Sequence, residues 1–263
     1  MFKKKKYGQV FATAGLIKII SSKIKDDIRG KIVLEIGPGE GKLTEKILEF
    51  EPKKLIAVEK DFEYFQFLKN RFADKENFEC VNADILEYKP KKIDVAIGNV
   101  PYYISSDLLV KMRSWKFQKG FLTFQKEFAE RLTTPYGNKN YSRLAVTSQH
   151  FFETEIIKSL SKKLFSPIPK VDSALISIKP KKQLPMKKCE EELLNLIFTN
   201  KKQKLKKAIH HVLNEKSENM FSILTSCYGV NILDERVFKI DGEKIIKACK
   251  LYCEKYKQPS ILG

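Results

Sequence analysis

An apolar run, Ile32-Val33-Leu34, leads through Glu35-Ile36 into the turn Gly37-Pro38-Gly39-Glu40-Gly41, and Lys42 to Leu48 follows with helical spacing. A buried strand, a glycine turn and a helix start form the layout that lets backbone approach a bound nucleotide closely. Glu59 closes the next apolar run, Leu55-Ile56-Ala57-Val58. An open α/β sheet places a carboxylate there, about twenty residues on, to accept hydrogen bonds from ribose hydroxyls. The glycines read G-x-G-x-G and not the dinucleotide pattern G-x-G-x-x-G. Pro38 removes an amide donor and Glu40 adds negative charge, so the loop would cradle a pyrophosphate poorly. A nucleoside carrying positive charge suits it better, and an ordinary tight turn is the alternative for this motif alone.

Taken in order, the chain alternates. Apolar residues at helical spacing (Leu16, Ile17, Ile20, Ile24) predict a first helix over 16–28. Strand 32–36, helix 42–50, strand 55–59 and helix 61–72 follow, with Asp61 as N-cap. Strands over 78–82 and 93–98 come next, then helix 105–115, strand 120–124 and helix 126–132. Residues 133–141 read as a polar loop, and β-prone runs 151–157 and 173–178 as a closing antiparallel pair. The expected architecture is an α/β fold, a parallel sheet covered on both faces. Ligands of such sheets sit beyond the carboxyl ends of the strands, where Gly37, Glu59, Asp84 and Asn99 all fall. Prolines and lost periodicity from Lys179 to Pro185 mark a linker. Helical spacing resumes after it, which predicts a large domain over 1–182 and a small all-helical one over 183–263.

The 263 residues carry a formal charge of +18, so a polyanion such as RNA is the expected partner, with a solvated lysine-rich surface as the alternative. Lys201 to Lys207 holds five lysines and is read as a phosphate grip. No apolar run reaches the ~18 residues of a membrane span, and residues 8–12 do not form a signal-peptide core. Five cysteines without a C-x-x-C pair predict reduced thiols in a cytoplasmic protein, and a monomer is expected. Cys249, Cys253 and the pair His210-His211 lack zinc-ligand spacing, so no metal site is predicted. The aromatic residues between Phe62 and Phe72 are read as core.

A second motif, Asn99-Val100-Pro101-Tyr102, directly follows a strand. An exocyclic base amine is a weak nucleophile because its lone pair is delocalised into the ring. An amide oxygen and a backbone carbonyl accepting its two hydrogens would draw the nitrogen toward tetrahedral geometry. Asn99 can supply the first, and Val100 or Pro101 the second. Pro101 rigidifies the turn, and Tyr102 offers a face on which a base stacks. With a sulfonium methyl donor, already activated, no metal and no strong base would be required. A structural Asn-x-Pro turn is the bland alternative.

Both motifs, with Phe124-Gln125-Lys126-Glu127-Phe128-Ala129-Glu130-Arg131-Leu132, Tyr141-Ser142-Arg143-Leu144 and Phe165-Ser166-Pro167-Ile168-Pro169-Lys170-Val171-Asp172-Ser173, resemble the small-subunit ribosomal RNA adenine dimethyltransferases. The resemblance runs from Tyr7 to about Ile178, is looser in the tail, and looks nearest the archaeal and eukaryotic branch. It implies S-adenosylmethionine on a Rossmann-like methyltransferase sheet, and dimethylation of two adjacent adenosines in the terminal hairpin of small-subunit RNA during ribosome biogenesis. By position it implies that Gly37 lies under the cofactor and Glu59 holds its ribose. Asp84 would meet the adenine amino group beside the backbone of Ile85. Asn99, Pro101 and Tyr102 would position the target base, with Phe165 stacked on its other face and Asn99 also near the cofactor. Val10 and Ala12 would touch the cofactor through their backbone, since Val10 stands where the family carries a polar residue. Two rivals remain: a large-subunit methyltransferase of the macrolide-resistance type, and an RNA-binding assembly factor without turnover.

Overall fold

The protein was analysed as a computed structural model that describes residues 11–256. These residues form two compact units. One takes in the chain through Glu130 and Phe152–Lys181; the other takes in Arg131–Phe151 and the chain from Lys182 on. The segment Arg131–Phe151 thus groups with the helical tail, so the division is not a single cut near residue 182.

The first unit opens with β1 (Phe11–Ala12) and α1 (Ala14–Ile28). It then runs β2 (Ile32–Ile36), α2 (Lys42–Glu49), β3 (Lys54–Glu59), α3 (Phe62–Arg71), β4 (Phe78–Asn82), β5 (Val95–Asn99), α4 (Ser105–Met112) and β6 (Lys119–Gln125). The chain then passes through α5 (Lys126–Thr133), which spans the unit boundary, and α6 (Arg143–Phe151), which belongs to the second unit, before the first unit closes with β7 (Phe152–Leu160), β8 (Phe165–Ser166) and β9 (Ser173–Pro180). Seven strands form one sheet in the order β4-β3-β2-β5-β6-β9-β7. The first five are parallel, and β9 is antiparallel to both of its neighbours. The predicted closing antiparallel pair is therefore present. Val33, Leu55, Val95 and Ile97 pack on α1 through Leu16, Ile20 and Ile24 and on α2 through Leu43 and Ile47. Such near-continuous burial is why the central strands read as unbroken apolar runs.

Local chemistry sets the helix starts. Asp61 caps α3, its carboxylate accepting from the amides of Glu63 and Tyr64. Gly41 caps α2 in the left-handed region at φ 74°, and a Cβ there would stand 2.6 Å from Leu68 Cδ2. Arg71 at the end of α3 donates to the Glu40 carbonyl at 2.9 Å and to the Glu45 carboxylate at 3.0 Å, which fastens the glycine turn to the helix behind it. A small ribbon pairs β1 with β8, Phe11 opposite Ser166 and Ala12 opposite Phe165. Beside it the Thr13 hydroxyl donates to the Leu164 carbonyl at 2.8 Å.

The second unit adds α7 (Lys188–Thr199), α8 (Leu205–Leu213), α9 (Ser217–Tyr228) and α10 (Gly242–Tyr256). Leu193, Ile197, Ile209, Leu224, Ile245 and Tyr252 belong to one core with Tyr141 and Val146. The Tyr141 hydroxyl accepts from the Gly242 amide at 3.1 Å, and His150 Nδ1 lies 2.9 Å from the Glu243 carboxylate. Cys189 of α7 and Cys253 of α10 form a disulfide. The expectation of reduced thiols fails for this pair, because folding brings together two cysteines 64 residues apart in sequence. Cys80, Cys227 and Cys249 remain thiols. None of the described helices is long and apolar enough to cross a membrane.

Candidate active site

The parallel register fixes the site. Ile36 lies opposite Val58 and Gly98, and Glu59 opposite Asn82, so the turns that follow β2, β3, β4 and β5 leave the sheet at one edge. A cavity of about 490 Å³ opens there, a volume suited to a nucleoside-sized ligand. Ala12, Gly37, Glu59, Asp84, Ile85, Asn99, Pro101 and Tyr102 all line it. Val10 lies outside the described residues. Phe165 does not line the cavity: its ring is 2 % exposed and packs in the core with Leu160 and Leu175. The second stacking face assigned to Phe165 is thus not offered in this structure, since β8 turns the side chain inward.

Glu59 is 4 % exposed. One oxygen accepts from the Gly39 amide at 3.0 Å and the other from the Asp61 amide at 2.9 Å. A carboxylate has about four lone-pair sites, so each oxygen keeps acceptor capacity. Burial pushes the Glu59 carboxyl above the usual carboxylate range, and the two amides restrain the rise. Gly39 is at φ 54°, and a Cβ on it would stand 3.1 Å from the Phe11 ring. The turn therefore presents its backbone, without side chain, to the carboxylate and to the cavity.

Asp84 is tied on both oxygens, to Lys60 Nζ at 2.7 Å and to the Leu86 amide at 2.9 Å. Burial alone would raise its pKa, but the Lys60 ammonium and the Leu86 amide outweigh it and hold the carboxyl low. Ile85, buried beside it, supplies an apolar wall.

On the other side of the cavity, β5 ends at Asn99 and the chain enters a 3-10 turn, Tyr102–Ile104, capped by Pro101. The Ile104 amide donates to the Pro101 carbonyl at 3.1 Å, and the Ser105 hydroxyl to the Tyr102 carbonyl at 2.9 Å. The Tyr102 hydroxyl lies 2.7 Å from Ser173 Oγ, so the clamp turn is tied to the first residue of β9. Nothing in the sequence around Ser173 signals this contact, which joins residues 71 positions apart.

Glu35, just ahead of the glycine turn, also lines the cavity, at 1 % exposure. Its Oε2 has no hydrogen-bond partner. Burial pushes its pKa up to about 8, with a further push from Glu59. The Thr44 hydroxyl opposes the rise without reaching hydrogen-bond alignment. Nothing in a strand pattern separates such an acid from an apolar neighbour except its type, and that type inside a buried run was the available signal.

The charge of the lining is acidic. Glu40, Glu59, Asp84 and Asp107 face Lys42 and Lys60, while Glu35, its pKa pushed to about 8, is mostly uncharged at neutral pH. Both lysines are paired, Lys42 with Glu40 at 2.6 Å and Lys60 with Asp84 at 2.7 Å. Such a lining disfavours a pyrophosphate and accommodates a ligand with a nucleoside end and a positive end.

Parallel strands around β2, a glycine turn at their carboxyl edge and a closing antiparallel pair define a Rossmann-like methyltransferase fold, with a helical C-terminal region. The chain belongs to the ribosomal RNA adenine dimethylase family, whose pattern matches residues 2–238, and is a methyltransferase. It is 37% identical over 256 residues to the ribosomal RNA small subunit methyltransferase A of Pelagibacter ubique, covering 91% of this chain and 96% of that one. It is also 37% identical over 181 residues to a Methanosarcina acetivorans protein named "Probable ribosomal RNA small subunit methyltransferase A". That match covers 67% of this chain and 66% of the relative, just under two thirds of its length. A solved dimethyladenosine transferase from Plasmodium falciparum superposes with a TM-score of 0.79 at 26% identity, covering 95% of this chain and 98% of that one.

Proposed function

We propose that this chain transfers methyl groups from S-adenosylmethionine to the 6-amino groups of two adjacent adenosines in the terminal hairpin of small-subunit ribosomal RNA, as a step in ribosome biogenesis in the cytoplasm. The observation that carries this reading is one cavity lined both by a nucleoside-binding rim, Gly37, Glu59 and Asp84, and by the Asn99-Val100-Pro101-Tyr102 turn. The residues fit the cofactor. Glu59 would accept from its ribose hydroxyls, Asp84 from its adenine amino group, and Ile85 would cover the adenine ring. When bound, the cofactor supplies a methyl group on a positively charged sulfur, which leaves as a neutral thioether and needs no acid to assist it. The acidic lining, its lysines already paired, supports that charge.

The protein's own part is alignment and desolvation. The Asn99 side-chain oxygen and a backbone carbonyl of the same turn would accept the two hydrogens of the unmodified amine, which localises the lone pair for in-line attack, and the methylated nitrogen then releases one proton to solvent. Tyr102, held by Ser173, would pack on the target ring. These contacts strengthen as the nitrogen becomes tetrahedral, so they act on the transition state. Bases in a duplex are inaccessible to such a site, and an unpaired loop spares the cost of extrusion.

The reading is tested by tritiated-methyl transfer to small subunits that lack the modification, with large subunits as control and the labelled base mapped. Label on adenine amines of the small-subunit hairpin is expected. Label confined to large-subunit RNA would support the macrolide-resistance type of enzyme instead, and no label on either would overturn the reading.

A further inference from the structure

Tyr103 lines the cavity yet is 61% exposed, while Phe165 is buried in the core. Tyr102 and Tyr103 are consecutive on the 3-10 turn, where three residues complete a turn and neighbouring side chains leave about 120° apart. Tyr102 is drawn inward by its bond to Ser173. Two rings so disposed cannot sandwich one base. The backbone beneath Tyr103 is well fixed by the Pro101 cap and by the bonds from Ile104 and Ser105. The side chain has two torsions to immobilise, so a rigid aromatic face stands at the mouth of a nucleoside-sized cavity at low entropic cost.

We infer that Tyr103 is the platform on which the nucleobase flanking the target stacks, holding the register of single-stranded RNA while the target base occupies the cavity. The inference rests on the proposed function and deepens it. Stacking suits this position because every base has a π-face and the strand must be held without reading its sequence. The chain's charge of +18 favours a polyanion as the molecule that brings such a base. With two adjacent adenosines as substrates, one adenine rests on Tyr103 while its neighbour is in the clamp.

The test measures binding of full-length protein to the hairpin RNA by fluorescence anisotropy, with the flanking nucleotide intact or abasic. Tyr103→Ala should bind the intact RNA about tenfold or more weakly than the parent protein, the usual loss for one stacked base. Tyr103→Phe should bind like the parent. On abasic RNA the parent and Tyr103→Ala should be equal. Equal binding by parent and Tyr103→Ala on intact RNA, or the same loss on intact and abasic RNA, would overturn the platform. Methyl transfer by the parent to small subunits is run in parallel. Absence of that transfer overturns the proposed function, whereas transfer that is undiminished in Tyr103→Ala overturns the platform alone.

Discussion

Both oxygens of Glu59 already hold backbone amides, those of Gly39 and Asp61. Glu59→Ala would leave those two loop amides without their acceptor and remove the ribose acceptor as well, so stability and affinity would fall together. Glu59→Gln keeps one acceptor oxygen and loses the charge, but its amide nitrogen cannot accept, so one loop amide also loses its partner and the variant is first shown by thermal melting to be folded. Hydrogen bonds to a charged group are worth about 1.5–3 kcal/mol, so calorimetry should show S-adenosylmethionine bound tenfold or more weakly by folded Glu59→Gln. Unchanged affinity would remove Glu59 from the ribose. The second prediction concerns Glu35, whose ordinary value of 4.5 is pushed by burial to about 8. The native state holds this proton more tightly than the unfolded chain. Its contribution to stability is therefore full below the ordinary value and is lost as pH rises toward 8. Across that window the group should lower stability by up to about 1.4 kcal/mol per pH unit. Denaturant titrations of the cofactor-free protein at pH 5, 6.5 and 8 should show the decline, and Glu35→Gln should flatten it. A decline of equal slope in the variant would assign it to other groups.

At the scale of elements, the glycine turn works because α2 starts on a left-handed residue with no room for a side chain. Gly41→Ala should cost about 2–4 kcal/mol, from the positive φ and from the overlap with Leu68 and Phe72. The expected readout is a lower denaturant midpoint at unchanged m; an unshifted midpoint would show that α3 yields easily. The central strands β2, β5, β6 and β9 were legible because they are buried on both faces and read as apolar runs, and the rim residues because a parallel sheet sends every such strand end to one edge. Two-residue strands carry no periodicity, so the β1–β8 ribbon, and with it the inward turn of Phe165, was not legible. Helix α6 was missed because Arg143–Phe151 is buried on most sides and mixes Thr, Ser and His among its apolar residues. The grouping of Arg131–Phe151 with the tail, and the Cys189–Cys253 bond, depend on long-range packing that local spacing does not encode.

For the whole molecule, the +18 charge is the long-range feature, but not every lysine of the 201–207 cluster is offered to RNA. Lys201 donates to the Tyr141 carbonyl at 2.8 Å, Lys204 pairs with Asp234 at 3.0 Å, and Lys206 sits 6.0 Å over the Phe221 ring. Lys202, Lys204, Lys206 and Lys207 are all exposed, Lys204 and Lys206 beside those surface partners. With a slope of about −0.9 per duplex phosphate contact, changing Lys202 and Lys207 to Gln should flatten the log-affinity against log-salt line by roughly two units. Lys201→Gln should lower stability and leave that slope alone. Filter binding to small-subunit particles across a salt series measures both, and an unchanged slope in the double variant would make the cluster a solvated face. At this scale the proposed function is that the cavity edge bearing Asn99 dimethylates adenine amines. Nucleoside mass spectrometry tests it most directly, on small-subunit RNA recovered after incubation with S-adenosylmethionine and either the parent protein or Asn99→Ala. Dimethyladenosine is expected with the parent and a strongly reduced yield with Asn99→Ala, although that variant still binds cofactor with only a modest loss. No dimethyladenosine with the parent, or the same yield and rate from both proteins, would contradict it.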